Sequence, residues 1–137
     1  MNICSSDSLI INNTILNTTD FGISVMGYRN TISYNTISGV KTSCYPGIVL
    51  EDAYHTEVLY NKISNCPHAV MIYAGDVTNG CSYNHVAYNH FASIANYMAF
   101  IHDTTCVSNI YENNKYQGTW QTYNNGSGSI IRNNSVG

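Results

Sequence analysis

The chain carries little charge. Asp, Glu, Lys and Arg make up 9% of its 137 residues and the formal net charge is −3, against about a quarter charged residues in an ordinary soluble domain. With five Lys and Arg in all, no basic stripe is present, which excludes the electrostatic footprint of a nucleic-acid binder. No apolar run approaches the ~20 residues needed to span a bilayer, so no membrane partner is expected. Met1-Asn2-Ile3-Cys4 lacks the basic start and apolar segment of a signal peptide. Neither Cys-x-x-Cys nor His-x-x-x-His spacing occurs, so neither a metal nor another cofactor is expected. Apolar residues at helical three-and-four spacing are missing as well; they recur two apart, the period of a strand.

What the chain has instead is one short phrase repeated six times: an aliphatic or aromatic residue, two spacers, an asparagine, a spacer and another apolar residue. It reads Ile10 to Ile15, Ile32 to Ile37, Val58 to Ile63, Val86 to Phe91, Tyr111 to Tyr116 and Ile131 to Val136. The asparagines Asn13, Asn35, Asn61, Asn89, Asn114 and Asn134 fall 22, 26, 28, 25 and 20 residues apart, a period that signals a solenoid. Asparagine suits a tight turn because it tolerates the left-handed backbone region, and stacked amides can bond from coil to coil.

A second block lies between successive phrases, beginning at Gly22, Gly47, Ala69, Tyr97 and Gly118. Its second and fourth positions supply an inward apolar pair in four of the five blocks. The alternate positions then face outward: Ser24, Met26, Val49, Glu51, Met71, Tyr73, Ala99, Ile101, Trp120 and Thr122. So apolar an outer row implies cover by a partner subunit, a sugar or a loop.

One repeat therefore holds three short strands and two variable loops. The pattern resembles the right-handed parallel β-helix of the pectate-lyase-like superfamily and covers nearly the whole chain. The fold expected is all-β, a solenoid of about five to six coils with an asparagine ladder, forming one domain over residues 1–137. At roughly 4.8 Å per coil it stands only ~25 Å tall and shows no capping helix, so a fragment or one part of a larger assembly is expected.

The resemblance implies a polysaccharide groove on the outer face of the Gly-Ile-x-Val sheet. Glu51, Asp52, Asp76 and Asp103 follow that strand in consecutive coils and are the candidate catalytic carboxylates. Glu51 or Asp52 with Asp103 suits an inverting pair and Asp76 with a neighbour a closer one; the same acids would also serve as plain turn formers. Tyr73 and Trp120 are candidate sugar platforms, and His102, beside Asp103 and Tyr73, is the best placed of the five histidines for substrate binding or proton transfer. Arg29, Lys41, Lys62, Lys115 and Arg132 form no convergent cluster of the kind a lyase needs. Asn17-Thr18-Thr19-Asp20 is similar to the Asn-Thr-Asp signature of polygalacturonases, but that family's Asp-Asp, Gly-His-Gly and Arg-x-Lys elements are missing. Few charges, uneven coils and an apolar strand face together resemble phage tailspike depolymerases. That implies an extracellular or virion-surface protein, trimeric through the apolar face, that binds polysaccharide and cleaves it as a hydrolase or lyase. A non-catalytic stalk or adhesin segment is the alternative. Cys44 with Cys66 and Cys81 with Cys106 should sit in adjacent coils, as stacked thiols or as disulfides.

Overall fold

A computed structural model describes residues 1–75 and 80–137. Among the described residues, eighteen short strands form three parallel sheets of six strands each. The first sheet contains Asn2–Cys4, Ile23–Tyr28, Pro46–Tyr54, His68–Tyr73, Ala99–Ile101 and Thr122–Asn124. Leu9–Ile11, Thr31–Ser33, Glu57–Leu59, His85–Ala87, Ile110–Glu112 and Ile130–Arg132 form the second. The third holds Thr14–Leu16, Thr36–Ser38, Lys62–Cys66, His90–Ile94, Lys115–Tyr116 and Ser135–Val136. Consecutive strands always enter different sheets, so neighbours within a sheet are one coil apart. This is the right-handed parallel β-helix expected from the repeat.

In the central coils the second residue of each second- and third-sheet strand points inward, stacking Ile32, Val58 and Val86 on one wall and Ile37, Ile63 and Phe91 on another, all essentially buried. In the first sheet Ile23, Ile48 and Val70 form one inward file and Val25, Leu50 and Ile72 the next. Tyr111 takes a core position that aliphatic residues fill elsewhere. Its hydroxyl donates to the Val70 carbonyl at 3.0 Å, which satisfies a polar atom that would otherwise be stranded, and burial pushes its phenol well above the ordinary range.

The asparagine ladder is present over all six coils. From Asn13 to Asn114, each side-chain Nδ2 and each backbone N–H donates to the Oδ1 of the next asparagine, at 2.8–3.0 Å. The left-handed residue of the turn, however, is the one before the asparagine: Asn12, Tyr34, Tyr60, Tyr88, Asn113 and Asn133 have φ of 54–59°. The ladder residue is therefore selected for its amide, and its neighbour absorbs the strained backbone.

A second, less regular ladder runs parallel to the first. Ser8 N–H donates to Asn30 Oδ1, Thr56 N–H to Asn84 Oδ1, Asn84 to Asn109 Oδ1 and Asn109 N–H to Ser129 Oγ. The residue before each member again has positive φ, from Asp7 through Arg29, His55, Tyr83 and Ser108 to Gly128. At Thr56 the ladder is incomplete: its buried Oγ1 has no partner.

The frame expected for the fourth coil is corrected. Val70 pairs with Ala99 and Ile72 with Ile101, both 0% exposed, so Ala99 and Ile101 point inward and Phe100 takes the outer file beside Met71. In the next coil Thr122, Tyr123 and Asn124 pair with Ala99, Phe100 and Ile101. Tyr123 thus occupies the outward position expected of Trp120 and Thr122. All five cysteines are free thiols, with Cys66, Cys81 and Cys106 buried and Cys44 exposed.

Candidate functional site

Three adjacent first-sheet strands, Pro46–Tyr54, His68–Tyr73 and Ala99–Ile101, build an apolar concavity on the surface. Glu51 lies opposite Tyr73 in register, and Ile72 opposite Ile101 brings His102 beside Tyr73 in the next coil. The His102 N–H continues the ladder to the Ile72 carbonyl at 2.9 Å. Glu51, Tyr73 and His102 line a cavity of about 400 Å³ together with Met71, Phe100 and Tyr45. Phe21 and Tyr45, ring centroids 4.5 Å apart, stand at its rim beside Val49, which is outward in register yet only 2% exposed. Loop residues thus give part of the cover that the apolar outer row demanded.

A regular strand would send Glu51 and Asp52 to opposite faces. Asp52 instead has φ of 48°, which breaks the alternation and turns both carboxylates toward Gly75 of the next coil. Asp52 Oδ1 accepts the Gly75 N–H at 2.9 Å. A Cβ placed on Gly75 would stand 2.8 Å from Glu51 Oε1 and 2.9 Å from Asp52 Oδ2, so these two oxygens are at most 5.7 Å apart. Among the described residues, the close carboxylate pair comes from one strand.

Asp103 bonds to two neighbours. Its Oδ2 accepts the Ala74 N–H at 2.9 Å and its Oδ1 pairs with His102 Nδ1 at 3.0 Å. With both oxygens engaged, Asp103 orients the imidazole and leaves Nε2 for other contacts. The His102 ring meets Tyr73 edge-on at 5.3 Å. The arrangement supplies one carboxylate, Glu51, an oriented imidazole and aromatic walls around one cavity, with Asp52 next to Glu51 but outside the lining, parts suited to hold a sugar ring and to move protons.

A family model described as the right handed beta helix region matches residues 3–136. The chain belongs to the right-handed β-helix family. No curated protein and no solved structure matches it.

Elsewhere in this right-handed β-helix the expected site residues separate. Asp76 lies outside the described residues. Trp120 packs on the core with Phe91 and Tyr116, centroids 6.2 and 5.2 Å away, and donates its indole N–H to Thr122 Oγ1; it does not line the cavity with Tyr73. Its place as an aromatic wall is taken by Phe100, with Tyr123 and Tyr97 at 5.0 and 5.1 Å. His68, one of the five histidines and ranked below His102 in the sequence, is mostly buried at the cavity wall, stacked on Tyr97 at 5.5 Å. Its Nδ1 accepts the Tyr97 N–H at 3.4 Å, and burial pushes its pKa down. It opens its strand opposite Pro46, one residue before the block that begins at Ala69 and two before the inward Val70. Among the described residues, no group of three or more His, Cys, Asp or Glu is disposed to hold a metal ion.

Proposed function

We propose that the first-sheet cavity of this β-helix binds polysaccharide and that Glu51 and Asp52 hydrolyse a glycosidic bond there, as in β-helices of the pectate-lyase-like and tailspike depolymerase type. The observation that carries this reading is the convergence of the two carboxylates on Gly75, at the edge of an aromatic-walled cavity. A separation of roughly 5–5.5 Å between carboxyl groups is that of retaining glycosidases, and the limit set at Gly75 accommodates it. Glu51, on the cavity wall, protonates the departing sugar oxygen; Asp52 is the carboxylate that attacks the anomeric carbon. His102, held by Asp103, and Tyr73 bind hydroxyls of the sugar.

The test is release of reducing ends from a panel of neutral and acidic bacterial polysaccharides. Glu51→Gln should lower the rate by about 100-fold or more with binding retained, whereas Tyr73→Ala should weaken binding. A protein that binds no glycan, or a Glu51→Gln variant as active as the parent, would overturn the reading.

A second reading, a non-catalytic stalk trimerised through this face, is favoured by one observation: Met71, Phe100 and Tyr123 make a continuous outward apolar file. Light scattering separates the two, because a trimer that buries the cavity and leaves every glycan intact fits the stalk alone.

A further inference from the structure

The third sheet and the corner leading into it bear a feature that the first-sheet cavity does not use. Thr36, Lys62, His90, Lys115 and Ser135 stand in one register file, each paired with the next, so two lysines flank a histidine on the outer face. None of the six third-sheet strands contains a carboxylate. Among the described residues the ion pairs use Arg29, Arg132, His85 and His102, and neither lysine enters one.

Two residues before Thr36, Lys62 and His90 lie Tyr34, Tyr60 and Tyr88, set outward by the left-handed backbone. Their rings stack at 5.2 and 5.3 Å, nearly parallel, and are 59%, 46% and 49% exposed. Tyr88 and Lys115 open onto a common depression of about 330 Å³, shared with Asn113, Asn133 and Ser135. Tyrosine hydroxyls therefore repeat along the solenoid axis at the coil rise of roughly 4.8 Å, close to the advance of one pyranose residue, while the two ammonium groups stand two coils apart with His90 between them.

We propose that this corner is a binding face for a linear anionic polysaccharide lying along the solenoid axis, its carboxylates or sulfates on Lys62 and Lys115 and its hydroxyls on the Tyr34, Tyr60 and Tyr88 file. Charge complementarity selects the occupant: the face offers cations and hydrogen-bonding edges, and no apolar groove. Since the tyrosine rings stack on one another, their edges rather than their faces meet the ligand, which disfavours base stacking and hence single-stranded nucleic acid. The face stands apart from the first-sheet cavity and holds whether or not that cavity is catalytic.

The test is calorimetric titration with polygalacturonate, heparin, dextran and a thymidine oligonucleotide, each at two salt concentrations. Polygalacturonate or heparin should bind, more weakly at higher salt, and dextran should bind at least tenfold more weakly at this face. With the cavity disabled by Tyr73→Ala, and again with it intact but silenced by Glu51→Gln, Lys62→Ala with Lys115→Ala should cost about tenfold in the remaining anionic-glycan binding, and Tyr60→Ala a further several-fold. Those cavity variants keep failure of the cavity reading distinct from failure of this one. Anionic-glycan binding that survives the double lysine change, no binding at all, or equal binding of the oligonucleotide with the same lysine dependence would each overturn the proposal.

Discussion

Asn61 donates both its side-chain Nδ2, at 3.0 Å, and its backbone N–H, at 2.8 Å, to the single Oδ1 of Asn89. One buried oxygen thus closes two bonds between coils, and the same motif recurs along the column. Asn61 Oδ1 in turn accepts both donors of Asn35.

Replacing Asn61 with alanine strands the Asn35 donors in a buried site, and the expected cost is about 3 kcal/mol. Asn13→Ala, at a partly exposed position whose own Oδ1 takes no bond from an earlier ladder asparagine, should cost less than half of that. Urea denaturation of both variants measures it; equal losses would show that the column is not the source of the stability.

Thr56 interrupts the second ladder with an unsatisfied Oγ1. Thr56→Asn extends an amide toward Asn84 Oδ1, which already accepts the Thr56 N–H at 2.9 Å. A gain of about 1 kcal/mol is expected. A lower denaturation midpoint would mean that the site lacks room for the longer side chain.

Gly75 has little space for a side chain. Gly75→Ala sets a methyl against Glu51 Oε1 and Asp52 Oδ2, and the flexible carboxylates must move. Glycan cleavage should fall at least about tenfold while stability changes by under about 1 kcal/mol. Unchanged turnover would separate the carboxylate pair from the chemistry.

His68 predicts a pH dependence. Because burial pushes its imidazole below the ordinary 6.5, the unfolded chain binds a proton first as pH falls. The stability associated with neutral His68 is complete above about pH 6.5 and is lost as pH drops through the lowered folded value. Asp7 and Glu112 lie below their carboxylate values because of Arg29 and of Arg132 with His85, so their contributions fade only at lower pH. Thermal midpoints should decline between pH 7 and 5, and His68→Gln should flatten that decline; a slope unaltered by the substitution would assign it elsewhere.

The first ladder was legible because each coil keeps asparagine itself, bracketed by apolar residues that cannot face water. The second was written just as regularly, with Ser8, Asn30, Thr56, Asn84, Asn109 and Ser129 each five residues before a first-ladder asparagine, but three residue types share the position and only spacing betrays it. The fourth-coil frame was hidden because Met98, Ala99, Phe100 and Ile101 are all apolar, and alternation has no contrast to read there. The tyrosines at left-handed positions defied the expectation that asparagine takes the strain: stacking between coils offsets a backbone cost that a lone tyrosine would not bear. For the candidate site, the strand that carries Glu51 and Tyr73 was readable from periodicity. The pairing of Glu51 with Asp52 was not, because it depends on one backbone dihedral that reverses a side chain.

Every Oδ1 of the first ladder faces the coil before it, from Asn35 to Asn134. Strand carbonyls alternate in direction and their dipoles largely cancel, whereas these side-chain dipoles all point one way. The buried column therefore gives this all-β fold an axial polarity, positive toward the higher-numbered coils, much as aligned peptide groups do in an α-helix.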